Sequence, residues 1–309
     1  MDISESAGPD LLPSVPQTAR GELDYFFAED REIFNWWTDM PAEEQKTFYW
    51  STALMAAAPA SALLEEIPGA FDVAYGFTGL LVDEDSFGIA VLTDMRTSLS
   101  STELEAVQIA GAAFTVRTVP ITRVPHRPSV HPSEGTSGAW ARSRASTQKS
   151  DPGLLTAHHV VGYSPVGTLV TLTSGAMGVI EDVAPPGFDA AVLSGAGQPS
   201  TPLRKLFVQA AAAPWSHIEF VGQSSGRVRG QVCMSTDILG IGSSAVIPVH
   251  YYLSVAGRTG DSGALVRNAD YPQGVGIYNG AAWDPTGREY GWSTSLHQVT
   301  VRMDIEVYE

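Results

Sequence analysis

The hydrophobic pattern changes character twice along this chain. Near the start, Phe26, Ile33, Phe34 and Trp37 fall on one face of a 3.6-residue spiral and predict a helix over 19–37 capped by Thr18. A second helix is predicted over 41–58, because Pro41 suits a first helical turn and Phe48, Tyr49 and Trp50 turn it inward. From 71 to 120 the pattern reads as strand, helix, strand. Strands are expected over 76–82, 88–94 and 113–119, with a helix seeded by Ser100-Ser101-Thr102-Glu103-Leu104. Beyond 135 the apolar runs become short and are bounded by glycine and proline, at 138–142, 154–161, 188–193, 221–232 and 274–280. The closing stretch, 294–308, alternates as Ser-Leu-His-Gln-Val-Thr-Val-Arg and reads as a terminal strand or helix.

These shifts divide the chain. Residues 1–17, with Pro9, Pro13 and Pro16, read as a flexible leader, 18–67 as a helical segment and 68–122 as a small α/β module. Residues 123–134 read as an extended, poorly ordered linker holding Pro125, Pro128 and Pro132. Residues 135–309 form a strand-rich domain. Its first polar loop carries Arg142, Arg144 and Lys149; this loop and the basic linker are candidate cut sites if the chain processes itself.

Charge sharpens the division. The chain carries a net charge of −16, and residues 1–130 hold 20 acidic against 7 basic side chains where residues 131–309 hold 14 against 11. An acidic half with no basic stripe argues against nucleic acid as a partner. It suits a basic regulatory protein engaging the N-terminal region, and equally suits solubility. No run of eighteen apolar residues and no signal-like start occur, so no membrane span is expected and the expected compartment is the cytoplasm. A single cysteine, Cys233, permits no internal disulfide and reads as a small buried hydrophobe. No histidine, cysteine or carboxylate cluster has metal-ligand spacing, so neither metal nor cofactor is expected.

The chemistry is concentrated in Gly260-Asp261-Ser262-Gly263-Ala264. Glycine at 260 lets backbone N–H groups converge beside the Ser262 hydroxyl, as an oxyanion hole built from Gly260 and Ser262 requires. A serine hydroxyl attacks only when a base takes its proton, so a histidine and an acid are expected elsewhere. The base candidates lie in Leu154-Leu155-Thr156-Ala157-His158-His159-Val160-Val161, read as a buried strand ending at a polar corner. The acid candidate is Asp189 in Phe188-Asp189-Ala190-Ala191; Asp182 is the substitute, and a turn aspartate capping Pro185-Pro186-Gly187 is the bland alternative.

At these residues the chain resembles the trypsin-like, chymotrypsin-fold serine proteases, whose histidine follows a Thr-Ala-x pattern. The resemblance implies His159 as base, with His158 facing away, in the order His159, Asp189, Ser262. Spacings of 30 and 73 residues resemble the compact bacterial Deg-type members, and the whole resembles an intracellular type with an extra N-terminal α/β module. Val221-Gly222-Gln223-Ser224-Ser225-Gly226 and the six residues after it resemble a further segment of the superfamily, with Gln223 where arginine is usual. Gly274 to Gly280 resembles the strand that pairs with extended substrate, which implies a polypeptide ligand and places Ile277, Tyr278 and Asn279 in the substrate site. Ala256 falls near the pocket floor, so a preference for small or apolar side chains is implied. The expected fold is mainly β: a double six-stranded β-barrel of the chymotrypsin fold preceded by a helical segment and a small α/β module.

Three alternatives stand beside this reading. An α/β-hydrolase esterase would use Ser262, Asp284 and His297, but Ala264 breaks the Gly-x-Ser-x-Gly elbow and no helix is expected after the serine. A protease-like barrel could serve as a silent binding module. An intact enzyme could be latent until a partner or trigger engages the N-terminal region.

Overall fold

The computed structural model describes residues 67–77, 87–96, 107–109, 112–114, 116–125 and 138–144, and residues 39, 41, 42 and 45. It also describes 152–309 apart from gaps at 173–174, 176, 196, 198, 200, 213 and 237–247. The expected helices over 19–37 and near 100–104 lie outside these residues. So does most of the one over 41–58, where Gln45 N donates to Pro41 O at 3.0 Å in helical register.

The first strands are β1 (Ala70–Phe77), β2 (Phe87–Asp94), β3 (Val107–Ile109), β4 (Ala112–Phe114) and β5 (Val116–Pro125). Then come β6 (Ala139–Ser143), β7 (Gly153–Thr156), β8 (Leu169–Thr171), β9 (Met177–Val183) and β10 (Ala191–Ser194). The second half holds β11 (Phe207–Val208), β12 (His217–Gly222), β13 (Gly226–Ser235), β14 (His250–Leu253), β15 (Leu265–Asn268), β16 (Gln273–Trp283) and β17 (Glu289–Ser295). Helix α1 (Leu296–Arg302) and β18 (Ile305–Tyr308) close the chain, so the terminal stretch is helix and strand in succession. No helix among the described residues is long and apolar enough to cross a membrane.

Two sheets organise these strands. One runs β18-β6-β7-β10-β9-β8. In the other, β16-β15-β12-β13-β14-β17 follow one another and β17 pairs back with β16, which closes a six-stranded barrel. Alternation explains the strands: in β12, Ile218, Phe220 and Gly222 point inward while His217 and Val221 face solvent. Inside the barrel Ile218, Phe220, Val232, Tyr251, Leu253, Val266 and Tyr278 form one core. A second core joins the two sheets, where Leu155, Val160 and Phe188 meet Leu265, Ile277, Leu296 and Val299. Ser295 caps α1, and the helix side chain of Gln298 accepts Val249 N at 2.6 Å.

Among the N-terminal strands only β3 and β4 pair apart, as a two-stranded sheet; the others join the barrel. β1, β2 and β5 extend the barrel sheet beyond β16, and β1 also pairs with β13 through Tyr75↔Ser235 and Gly76↔Met234. Gly76, at φ +142°, lets the two backbones approach where a Cβ would strike Cys233 O. Ala74, Leu92, Val119 and Ile121 share a buried cluster with Met234, Tyr252, Tyr290 and Trp292 of the barrel. β5 continues to Pro125, so the first three residues of the expected linker are strand. Proline fits there because an extended strand tolerates a fixed φ, and a sheet edge tolerates a missing donor.

Candidate active site

Ser262 lies in the loop between β14 and β15, and a buried carboxylate shapes that loop. Asp261 is fully enclosed; its Oδ1 accepts N–H groups of Ser224 and Ser225 at 2.7 and 3.1 Å, and its Oδ2 accepts Arg258 N at 2.7 Å. Ser224 and Ser225 form the β12–β13 turn just after Gln223, so backbone amides meet the charge beside the position where an arginine was expected. Gly222 and Gly257 are small for the same reason, since a Cβ at either would collide with that carboxylate. Gly260 and Gly263 sit at φ +99° and +92°, a region where a side chain is strained. Gly263 N donates to Tyr278 O at 2.7 Å, which ties the loop to β16. Gly260 and Ser262 are both buried in this loop.

His159 and Asp189 meet across the first sheet. The run 154–161 is not one strand: β7 stops at Thr156, and His158–Val161 form a single 3-10 turn. The turn forms because Asp189 takes its N–H groups: Asp189 O accepts His158 N at 3.1 Å and Asp189 Oδ1 accepts His159 N at 2.9 Å. Asp189 Oδ2 lies 2.7 Å from His159 Nδ1, and a carboxylate only accepts, so Nδ1 carries the proton. The remaining ring nitrogen, Nε2, is then a lone-pair acceptor, buried and without a hydrogen-bond partner among the described residues. His158 instead points Nε2 at Ser164 O, 3.0 Å away. Asp189 itself has φ +44°, a left-handed conformation that aspartate tolerates better than most residues.

Asn279 connects the two halves. Its side-chain Nδ2 donates to Asp189 Oδ2 and to Thr294 Oγ1, each at 3.0 Å. Its backbone carbonyl accepts the Ser262 hydroxyl at 2.9 Å. The structure thus joins His159, Asp189 and Ser262 through one buried asparagine, and the serine proton points to Asn279 O rather than to His159. This bridging role was not legible in the sequence; an asparagine flanked by Tyr278 and Gly280 in a glycine-rich strand carries no local mark of it. Hydrogen bonds between a serine and its base are often unformed before substrate binds.

The other expected site residues separate. Ala256 is half-buried beside the loop. Ile277 and Tyr278 are core residues; the Tyr278 ring stacks on Phe220 at 4.6 Å between centroids, and its hydroxyl accepts Gly257 N at 2.8 Å. Burial raises the Tyr278 phenol above its ordinary range, so it stays neutral. Their main chains are also taken, since Ile277 pairs with Leu265 on one side and Thr294 on the other. The esterase set fares differently again: Asp284 folds its carboxylate into a turn with Thr286 and Tyr290, and the element directly after Ser262 is strand β15 rather than a helix.

A closed six-stranded barrel carrying the serine loop, beside a second six-stranded sheet carrying the His-Asp corner, defines the architecture. The fold is that of the chymotrypsin-like serine proteases. No protein-family model matches the chain, and no curated protein matches its sequence. Among solved structures it is similar to a Nocardiopsis protease at 19% identity, covering 55% of this chain and 90% of that one, TM-score 0.41. It is similar to protease A of Thermobifida fusca at 17% identity, covering 60% and 97%, TM-score 0.42. A Cellulomonas bogoriensis chymotrypsin matches at 18% identity over 55% and 96%, TM-score 0.37.

Proposed function

We propose that this chain is a serine endopeptidase that cleaves polypeptide through an acyl-enzyme. His159 takes the Ser262 proton, Asp189 holds the imidazole tautomer and stabilises its charged form, and the N–H groups of Gly260 and Ser262 receive the oxyanion. The observation that carries this reading is the buried, unpartnered Nε2 of His159. An unpaired polar atom in a protein interior costs about 1–3 kcal/mol, and here the unpaired atom is the one free nitrogen of a ring whose other nitrogen faces a carboxylate, which is what a general base needs. In this reading the Ser262 hydroxyl exchanges its bond to Asn279 O for one to that nitrogen. The side chain at the cleavage position is expected to be small or apolar, because Ala256 offers no charge near the pocket floor. A peptide library cleaved mainly after lysine or arginine would contradict that preference.

The second reading, a protease-like barrel that binds without turnover, is favoured by the Ser262 hydroxyl being bonded to Asn279. A fluorophosphonate probe with intact-mass readout separates the two. Wild type should gain one adduct, while Ser262→Ala should gain none and His159→Ala should react at least 10³-fold more slowly, on the order of the loss seen when a triad member is removed. An unlabelled wild type would favour the binding module.

A further inference from the structure

Strand β5 changes partners halfway along. Val116 to Ile121 pair in parallel with β2, from Ile89↔Val116 to Asp94↔Ile121. Thr122 to Pro125 pair antiparallel with β16, in the register Trp283↔Thr122, Ala282↔Arg123, Ala281↔Val124 and Gly280↔Pro125. On the opposite side, the same stretch of β16 pairs with β17, from Trp283↔Glu289 to Gly280↔Trp292. Both edges of residues 280–283 are therefore occupied. Gly280 directly follows Asn279, whose carbonyl holds the Ser262 hydroxyl, and the antiparallel sense makes β5 run toward that serine. A polypeptide that reaches Ser262 by adding itself as an antiparallel strand needs the edge that β5 holds.

One side chain fastens this segment. The Arg123 guanidinium lies over the rings of Phe71 and Trp292, 4.6 and 5.5 Å from their centroids. Its NH1 donates to His250 Nδ1 at 3.2 Å, and Asp72 Oδ2 lies 3.7 Å from the same nitrogen. Trp292 and His250 belong to the barrel, whereas Phe71 and Asp72 belong to β1. Beside the guanidinium opens a cavity of about 570 Å³, whose wall also includes His158, Tyr163, Asp189, His250 and Trp292. Arg123 thus lines the same cleft as Asp189.

The segment can leave without dismantling the N-terminal strands. Ile121 is the last β5 residue paired with β2 and the last in the shared apolar cluster. Thr122 to Pro125 depend on the β16 ladder and on the Arg123 anchor. We infer that Thr122–Pro125 is a resident strand ligand of the peptide edge, anchored by Arg123, and that polypeptide enters the site only when this segment peels away. The inference rests on the endopeptidase reading. It gives the N-terminal region a role as the element that closes the site.

Two probes on the full chain test it. A small fluorophosphonate needs Ser262 and the oxyanion N–H groups, whereas a tetrapeptidyl phosphonate also needs the strand edge at 280–283. In wild type the peptidyl probe should react slowly relative to the small one. Arg123→Glu places a carboxylate beside Asp72 and over Trp292, and should raise the peptidyl rate at least 10-fold while the small-probe rate stays the same, which also reports an intact fold. Arg123→Lys, which keeps the charge, should return the ratio toward wild type. Equal ratios in wild type and Arg123→Glu would overturn the resident-strand inference and leave the catalytic reading standing. No labelling by either probe in any of the three proteins would overturn both.

Discussion

The two loops that meet at this site each bury a carboxylate, and they neutralise it in opposite ways. Asp261 is met by three backbone N–H groups and no described side-chain donor, whereas Asp189 is met by one backbone N–H and by the side chains of His159 and Asn279. Backbone donors are fixed once the β12–β13 turn is folded, so the Asp261 charge serves as a permanent strut for the serine loop. The side-chain donors to Asp189 are the Asn279 amide and the His159 ring, and a left-handed backbone holds the carboxylate between them. The comparison shows that a buried carboxylate is assigned to scaffold or to chemistry by what donates to it, more than by its burial.

The sharpest way to break this comparison is to make the same substitution on both sides. Asp189→Asn should slow fluorophosphonate labelling by roughly 10³–10⁴-fold, because an amide no longer enforces the Nδ1–H tautomer, and should cost less stability than the change at Asp261, because the His159 ring and the Asn279 amide can re-orient. Asp261→Asn should do the reverse. An amide NH₂ set against three N–H donors leaves buried groups unpaired, costs about 2–4 kcal/mol of stability and lowers the denaturant midpoint. Equal stability losses in the two variants would dissolve the distinction.

A smaller effect sharpens it further. Asn279→Ala removes one donor from Asp189 but leaves the backbone carbonyl that holds Ser262. A fall of about 10-fold in kcat with KM unchanged is expected, in line with the loss of one hydrogen bond to a charge. A change confined to KM would make Asn279 a substrate contact instead.

The smallest effect concerns Cys233, which touches neither loop. Burial pushes its thiol up to about 12, so the thiol stays protonated at pH 8 and iodoacetamide should leave it unmodified in the folded protein. Rapid alkylation at that pH would mean that the β1–β13 contact opens in solution, and the shared apolar cluster with it.

Much of the site was readable along the chain because its signals are local. Glycine at 260 and 263 is demanded by the backbone angles of their own loop, and the order of His159, Asp189 and Ser262 survives as linear spacing. The Gly222–Gly226 hairpin announced itself in the same way, through turn residues acting within a few positions, whereas the strand expected over 188–193 begins only at Ala191, because Asp189 takes a left-handed loop conformation. The run 154–161 does not continue as strand past Thr156 because the N–H groups of His158 and His159 donate to Asp189, thirty residues beyond His159.

The sequence by itself thus determined which residue types stand in which loops, since those choices answer to backbone conformation and to alternation along a strand. Only the tertiary structure decided what each polar group meets. It turned Asn279 from one position in a glycine-rich strand into the bridge between Asp189 and Ser262, and Tyr278 from a substrate contact into core. It also carried Arg123 to Pro125 from an expected linker onto an edge of β16. Hydrogen-bond partners and sheet edges are settled by how the strands assemble in space, which sets β5 against β16 about 160 positions away in the sequence.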